Sequence, residues 1–258
     1  MSNRHREVTG FTLVETLVVA LVVSVLMGLV IAAVAASRTR SAQASCAARC
    51  RGLGTLVATY AADYRDALPA YHADSPAALL TRAQQVRYNN QSAFMFASGM
   101  WQNYSGIDRF SNTGLCPRVQ AAFLETRKPE GPWRTDYEIV RCAYLDPARL
   151  DPDGPFEMPN PAAGARLQRL SDVRFPSMKV GVVEQRVWHA WRGSWTTETD
   201  VSALVLGGTI GPSSVWYFDG HGGLVRPREF NAGVAREWWG SGAFHMTPWG
   251  LHGRDEPI

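Results

Sequence analysis

The chain has 258 residues, 46% of them hydrophobic, and a formal net charge of +3. That length suits one or two domains, and a mean hydropathy slightly below zero excludes a multi-pass membrane protein. So mild a charge, falling further without residues 1–10, gives no footing for a nucleic-acid partner.

The chain begins with a polar decapeptide, MSNRHREVTG, and passes at once into FTLVETLVVALVVSVLMGLVIAAVAASRTR. Residues 17–36 carry no charge, and about 20 apolar residues are what a helix needs to cross a bilayer core. No second run of this kind follows. Glu15 stands two residues ahead of the run, where a carboxylate is costly unless something answers it. Small residues at 32–37 leave a cleavable signal peptide open, although an acid so close to the apolar region is unusual in one. A plain anchor is also open. Arg4 and Arg6 favour an inside N-terminus, and Arg38 and Arg40 blunt that preference.

None of the 15 prolines precedes Pro69, and none of the nine tryptophans precedes Trp101. The first 64 residues therefore lack the strongest helix breaker. Beyond the apolar run, Cys46, Cys50, Leu53, Val57, Tyr60 and Tyr64 recur at alternating steps of four and three, which predicts one buried stripe on an amphipathic helix. Gly52 and Gly54 weaken that helix and mark either a bend or a close contact. One helix over residues 11–64, membrane-spanning over about 14–36, would be about 80 Å long.

Residues 65–258 read as a loop-rich head with short strands. Residues 138–145 (EIVRCAYL), 179–184 (KVGVVE) and 201–206 (VSALVL) have strand character. In VWYFDGHGGLVR the Asp219–Gly220 pair between apolar residues predicts a hairpin. Residues 151–161 (DPDGPFEMPNP) form a loop, and residues 207–214 (GGTIGPSS) a turn ahead of the hairpin. One long helix followed by strands predicts an α+β fold, with a small antiparallel sheet packed on the helix stripe.

Four cysteines, Cys46, Cys50, Cys116 and Cys142, allow three connectivities for two bridges if the head lies outside the cytoplasm. Their spacing is too loose for a zinc site, so no metal is expected. Asp146, Asp151, Asp153 and Glu157 lack the regular ligand spacing of a calcium loop, so no cofactor is assigned, with calcium the weaker alternative. Asp219 and His221 form either turn chemistry or an acid–base or metal pair, and the first is the commoner use. Trp188, Trp191, Trp195, Trp216, Trp238, Trp239 and Trp249 fill a core or form a binding face. His189, His245 and His252 form no ligand pattern. There is no zincin helix, nucleophile elbow or phosphate loop, so no enzyme is expected.

Gly10-Phe11-Thr12-Leu13-Val14-Glu15 (GFTLVE), behind a basic leader and ahead of an apolar helix, resembles the processing motif of type IV pilin-like proteins, which include the pseudopilins of type II secretion. The resemblance implies a leader over residues 1–10, cut after Gly10 by a prepilin peptidase that also methylates the new N-terminus at Phe11. A second resemblance spans more of the chain, to planctomycete-type prepilin-like proteins with a processing-associated Asp-Gly-His segment. It rests on Cys46 to Pro69 (CAARCRGLGTLVATYAADYRDALP), then Cys116-Pro117, then Pro176-Ser177 before KVGVVE, then VWYFDGH at residues 215–221. Thr209 stands where that family usually carries histidine, and the loop at Gly222–Gly223 looks longer than usual. Cys46 matches the family's helix cysteine, and a bridge to Cys116 is the expectation attached to it.

These resemblances imply a structural subunit of a pilus or secretion pseudopilus. Its partners would be the prepilin peptidase/methyltransferase, other pilin or pseudopilin subunits and inner-membrane lipid. The head would be periplasmic before assembly and would decorate a filament afterwards. Glu15 would answer the Phe11 amine of a neighbouring subunit and set axial register, or else would snorkel to the headgroups. The alternatives are a minor pilin acting as an adhesin through its aromatic head, and a membrane-anchored hydrolase using Asp219 and His221.

Overall fold

In a computed structural model the described residues are 12–68, 116–117, 137–143, 153, 168–184, 212–226, 230 and 248–256. The chain divides into two compact units at residue 41. The first unit, as described, is a helical segment whose residues from Thr12 through Arg38 are all exposed. The second holds the remainder of the helix and a small antiparallel sheet.

Helix α1 runs without interruption over Leu13–Asp63. Its early part is long and apolar enough to cross a membrane. Its later part buries Ala42, Cys46, Cys50, Leu53, Gly54, Val57 and Ala61. This seam advances mostly by fours, so it drifts around the helix and departs from the predicted stripe at its end. Ala61 is buried instead, Tyr60 is only partly buried, and Tyr64 is 51% exposed. The two tyrosines, one turn apart, stack on each other with ring centroids 4.3 Å apart.

The helix ends without glycine. Arg65 and Asp66 take φ of 56° and 69°, a left-handed conformation that disfavours most side chains. Backbone bonds hold it there. Asp66 N–H donates to Ala61 O at 2.7 Å, and Ala67 N–H donates to Tyr64 O at 3.1 Å. The Asp66 carboxylate also accepts the Ser171 N–H at 3.0 Å, which ties the helix end to the 3-10 turn Leu170–Asp172 within the same unit.

Four strands follow, β1 (Tyr137–Ile139), β2 (Val180–Glu184), β3 (Ser213–Tyr217) and β4 (Gly222–Val225). They lie in the order β1-β2-β3-β4, every neighbouring pair antiparallel. The turn between β3 and β4 contains Asp219 and Gly220, and Gly220 takes φ 97°. That supplies the positive φ which makes Asp-Gly a hairpin signal. Gly222 and Gly223 pair with Trp216 and Val215, so they belong to β4 and do not lengthen the loop. The predicted strand over 138–145 is also shorter than expected. After Ile139 the Val140 N–H reaches Gly181 O, and Arg141–Ala143 close a 3-10 turn. Residues 201–206 lie outside the described residues.

The register of β2 against β3 shifts between Val180 and Val182, which leaves Gly181 as the odd residue of a bulge. Gly181 is needed there because a Cβ would come within 2.7 Å of the Trp216 ring. The five-membered part of the same ring occupies the space where a Gly54 side chain would project. Trp216 is only 2% exposed. The core thus forms around an indole held between a helix glycine and a strand glycine, and Gly54 marks a close contact and not a bend. Gly52, two residues earlier, faces open space. Gly54→Ala is expected to cost about 1–3 kcal/mol through overpacking. Gly52→Ala is expected to stabilise by roughly 0.5–1 kcal/mol. Denaturant titration of both variants in detergent, followed by tryptophan fluorescence, checks the pair.

All five residues of β2 and all five of β3 are buried, so both faces of the central sheet are covered. Strand alternation puts Ser214 and Trp216 on the helix side and Val215 and Tyr217 on the other. There Tyr217 Oη donates to Glu256 Oε1 at 2.7 Å. Residues 248–256 are stitched to the chain ahead of β2. Arg174 N–H donates to Leu251 O at 3.1 Å, and Asp255 N–H donates to Met178 O at 2.9 Å. Lys179 Nζ lies 3.0 Å from Asp255 Oδ1, with both side chains wholly buried. Asp255 Oδ2 accepts the Val180 N–H at 2.8 Å. Burial works against the Lys179 ammonium, but the Cys142 and Asp255 neighbours outweigh it and its pKa is raised.

Candidate functional site

Three places carry the side chains singled out by sequence: the start of α1, the β3–β4 hairpin, and the buried cysteines.

At the start of α1 the Glu15 carboxylate has a partner within its own chain. Thr12 N–H and Thr12 Oγ1 both donate to Glu15 Oε2 at 2.8 Å, and Glu15 N–H donates back to Thr12 Oγ1 at 3.3 Å. This is a reciprocal capping box, which satisfies backbone donors that the first helical turn leaves open. A carboxylate in the first turn also faces the positive end of the helix dipole. The signal, threonine followed three residues later by glutamate, is present in the sequence within the processing motif itself. Gly10 and Phe11 lie outside the described residues. From Glu15 to Arg38 the apolar side chains are exposed on every side, and Gly28 has nothing within 4 Å of an added Cβ.

At the hairpin His221 is bound to Asp219 twice, through its backbone N–H at 3.1 Å and through Nδ1 at 2.6 Å. The imidazole is half exposed and stacks on Tyr217 with ring centroids 4.0 Å apart. Asp219 therefore closes the turn on itself and orients the ring. Of the acidic loop, only Asp153 is described, at a turn. Trp216 is a core residue and Trp249 is partly exposed. The other tryptophans named above lie outside the described residues, as do Thr209, His189 and His245.

The buried cysteines form the densest chemistry. Cys46 on α1 and Cys116 lie with their sulfurs 2.9 Å apart, both wholly buried. Glu184, at the end of β2, sits beside them, and its carboxylate and the two sulfurs lie within 4.8 Å of one another. Ser214 N–H and Oγ donate to Glu184 Oε2 at 3.2 and 2.7 Å, fixing the carboxylate in place. The hydrogen-bonded contact with Cys116, burial and the Glu184 charge push the Cys46 thiol far above its ordinary range. Burial and Glu184 do the same to the Tyr137 phenol. Two sulfurs and one carboxylate suit a thiophilic ion better than calcium, which takes oxygen ligands.

The two remaining thiols have other neighbours. Cys50 Sγ lies 3.6 Å from the carbonyl oxygens of Val182 and Ser214 and so donates to the sheet. Burial raises its pKa. Cys142 lies against Lys179, and its pKa is pushed up to about 11, by burial above all. Compared with known proteins, the chain matches no family model, no curated protein and no solved structure.

Proposed function

We propose that the chain is a pilin-like structural subunit, made as a single-pass inner-membrane precursor and polymerised through its N-terminal helix. The observation that supports this reading is the two-part character of α1. One uninterrupted helix is apolar and exposed on every side up to residue 38, and is buried along one face from residue 42 onward. A helix of that kind requires an apolar surrounding for its first part, supplied by lipid and then by the same helices of other subunits. In lipid the gain on association comes from packing, since the tails are already apolar. The GFTLVE motif adds the chemistry. Cutting after Gly10 creates an amine at Phe11, one helical turn from Glu15.

Intact-mass and N-terminal peptide spectra of the chain recovered from its native membrane test the reading. The expected start is a methylated Phe11. A start near Met1 would leave a plain anchor, and a start near Ala36 would mean a signal peptide and a released head. Either result would remove the filament reading.

A further inference from the structure

We propose that Cys46 and Cys116 are joined by a disulfide that closes before the core does, and that Cys50 and Cys142 remain thiols beneath it. Four cysteines allow three two-bridge connectivities, and the structure discriminates among them. The Cys46 and Cys116 sulfurs lie 2.9 Å apart, far inside ordinary non-bonded contact and within a small shift of bonding distance. Cys50 is turned into the sheet, toward the Val182 and Ser214 carbonyls. Cys142 lies in the Lys179–Asp255 pocket.

The timing follows from burial. Disulfide exchange needs a thiolate that an oxidant can reach. In the closed core both sulfurs are wholly buried. The bond therefore forms while Cys116 is docking on α1, when both sulfurs still meet solvent. Two thiols and one external disulfide give the Cys46–Cys116 bond and two external thiols. Both protons and both electrons pass to the oxidant, which is a protein or low-molecular-weight disulfide. Once the core has packed over it, the same burial excludes reductants, so the bridge is structural and not regulatory. In the cell its formation rests on the proposed function, which places the head in an oxidising compartment. The pairing itself does not.

The test uses the full chain purified from membranes in detergent. It is denatured without reductant, blocked with N-ethylmaleimide, then reduced, labelled with iodoacetamide and mapped by peptide mass. N-ethylmaleimide is expected on Cys50 and Cys142 only, and iodoacetamide on Cys46 and Cys116. In the native chain, reduction by phosphine is expected to be at least tenfold slower than after denaturation. The Cys50→Ser/Cys142→Ser chain should give the same bridge. Any other linked pair would overturn the assignment, and so would four N-ethylmaleimide labels on a chain that stays reduced when refolded with glutathione and glutathione disulfide. Zinc retained in the native mass with all four thiols labelled would overturn it in favour of a metal site. Rapid reduction of the native chain would overturn the buried, structural character. A chain isolated reduced that forms the Cys46–Cys116 bridge on refolding would uphold the pairing and overturn the exported-head reading.

Discussion

A Glu15→Ala chain is expected to insert in the membrane and fold its head normally, yet yield at least tenfold less filament than the parent. Two effects are combined in that substitution. Loss of the Thr12–Glu15 capping box frays the first turn, at a cost of about 0.5–2 kcal/mol. Loss of the carboxylate removes the group proposed to answer a neighbour's Phe11 amine. Glu15→Gln separates them, because an amide oxygen can still accept from Thr12 while carrying no charge. Sedimentation and electron microscopy would read filament yield, and circular dichroism would read helix content. The Gln chain should keep its helix and still fail to assemble. Normal assembly of the Gln chain would reduce Glu15 to a helix cap.

The second large effect lies in the head. Asp255→Ala is expected to destabilise the full chain in detergent by about 3–5 kcal/mol, because it leaves the Lys179 ammonium buried without its carboxylate. It also removes the acceptor of the Val180 N–H at the start of β2. The melting temperature should fall on the order of 10 °C. Lys179→Met combined with Asp255→Leu should restore most of that loss, since an apolar pair of similar size often replaces a buried ion pair without penalty. Thermal melts of the single and double variants would decide. A double variant no better than Asp255→Ala would mean that the Val180 bond, and not the stranded charge, is what matters.

The elements that were legible in the sequence were those set by local chemistry. The absence of proline before Pro69 and the apolar run predicted α1 to within two residues of its observed ends. Asp219–Gly220 predicted the hairpin because the turn itself demands a positive φ. What escaped was set by contacts between distant residues. EIVRCAYL has strand composition, but the Gly181 bulge ends its pairing after Ile139. Tyr60 and Tyr64 have the right spacing for the seam, but the seam drifts and Ala61 takes their place. Lys179 and Asp255 are separated by 76 residues, and no periodicity joins them. The cysteine count allowed bridges, but spacing alone could not choose among connectivities. The Thr12–Glu15 box was visible throughout and was hidden by a second use of the same letters.

The indole held between Gly54 and Gly181 has a mechanical consequence. Sliding the helix by one turn, about 5.4 Å, would bring Cys50 or Ala58 beneath the ring in place of Gly54, and neither leaves room for it. The later part of α1 therefore fits the sheet in a single register, like a shaft pinned by a key. A pull along that part of the helix would load the key directly. The head would yield by breaking its core, not by creeping along the helix.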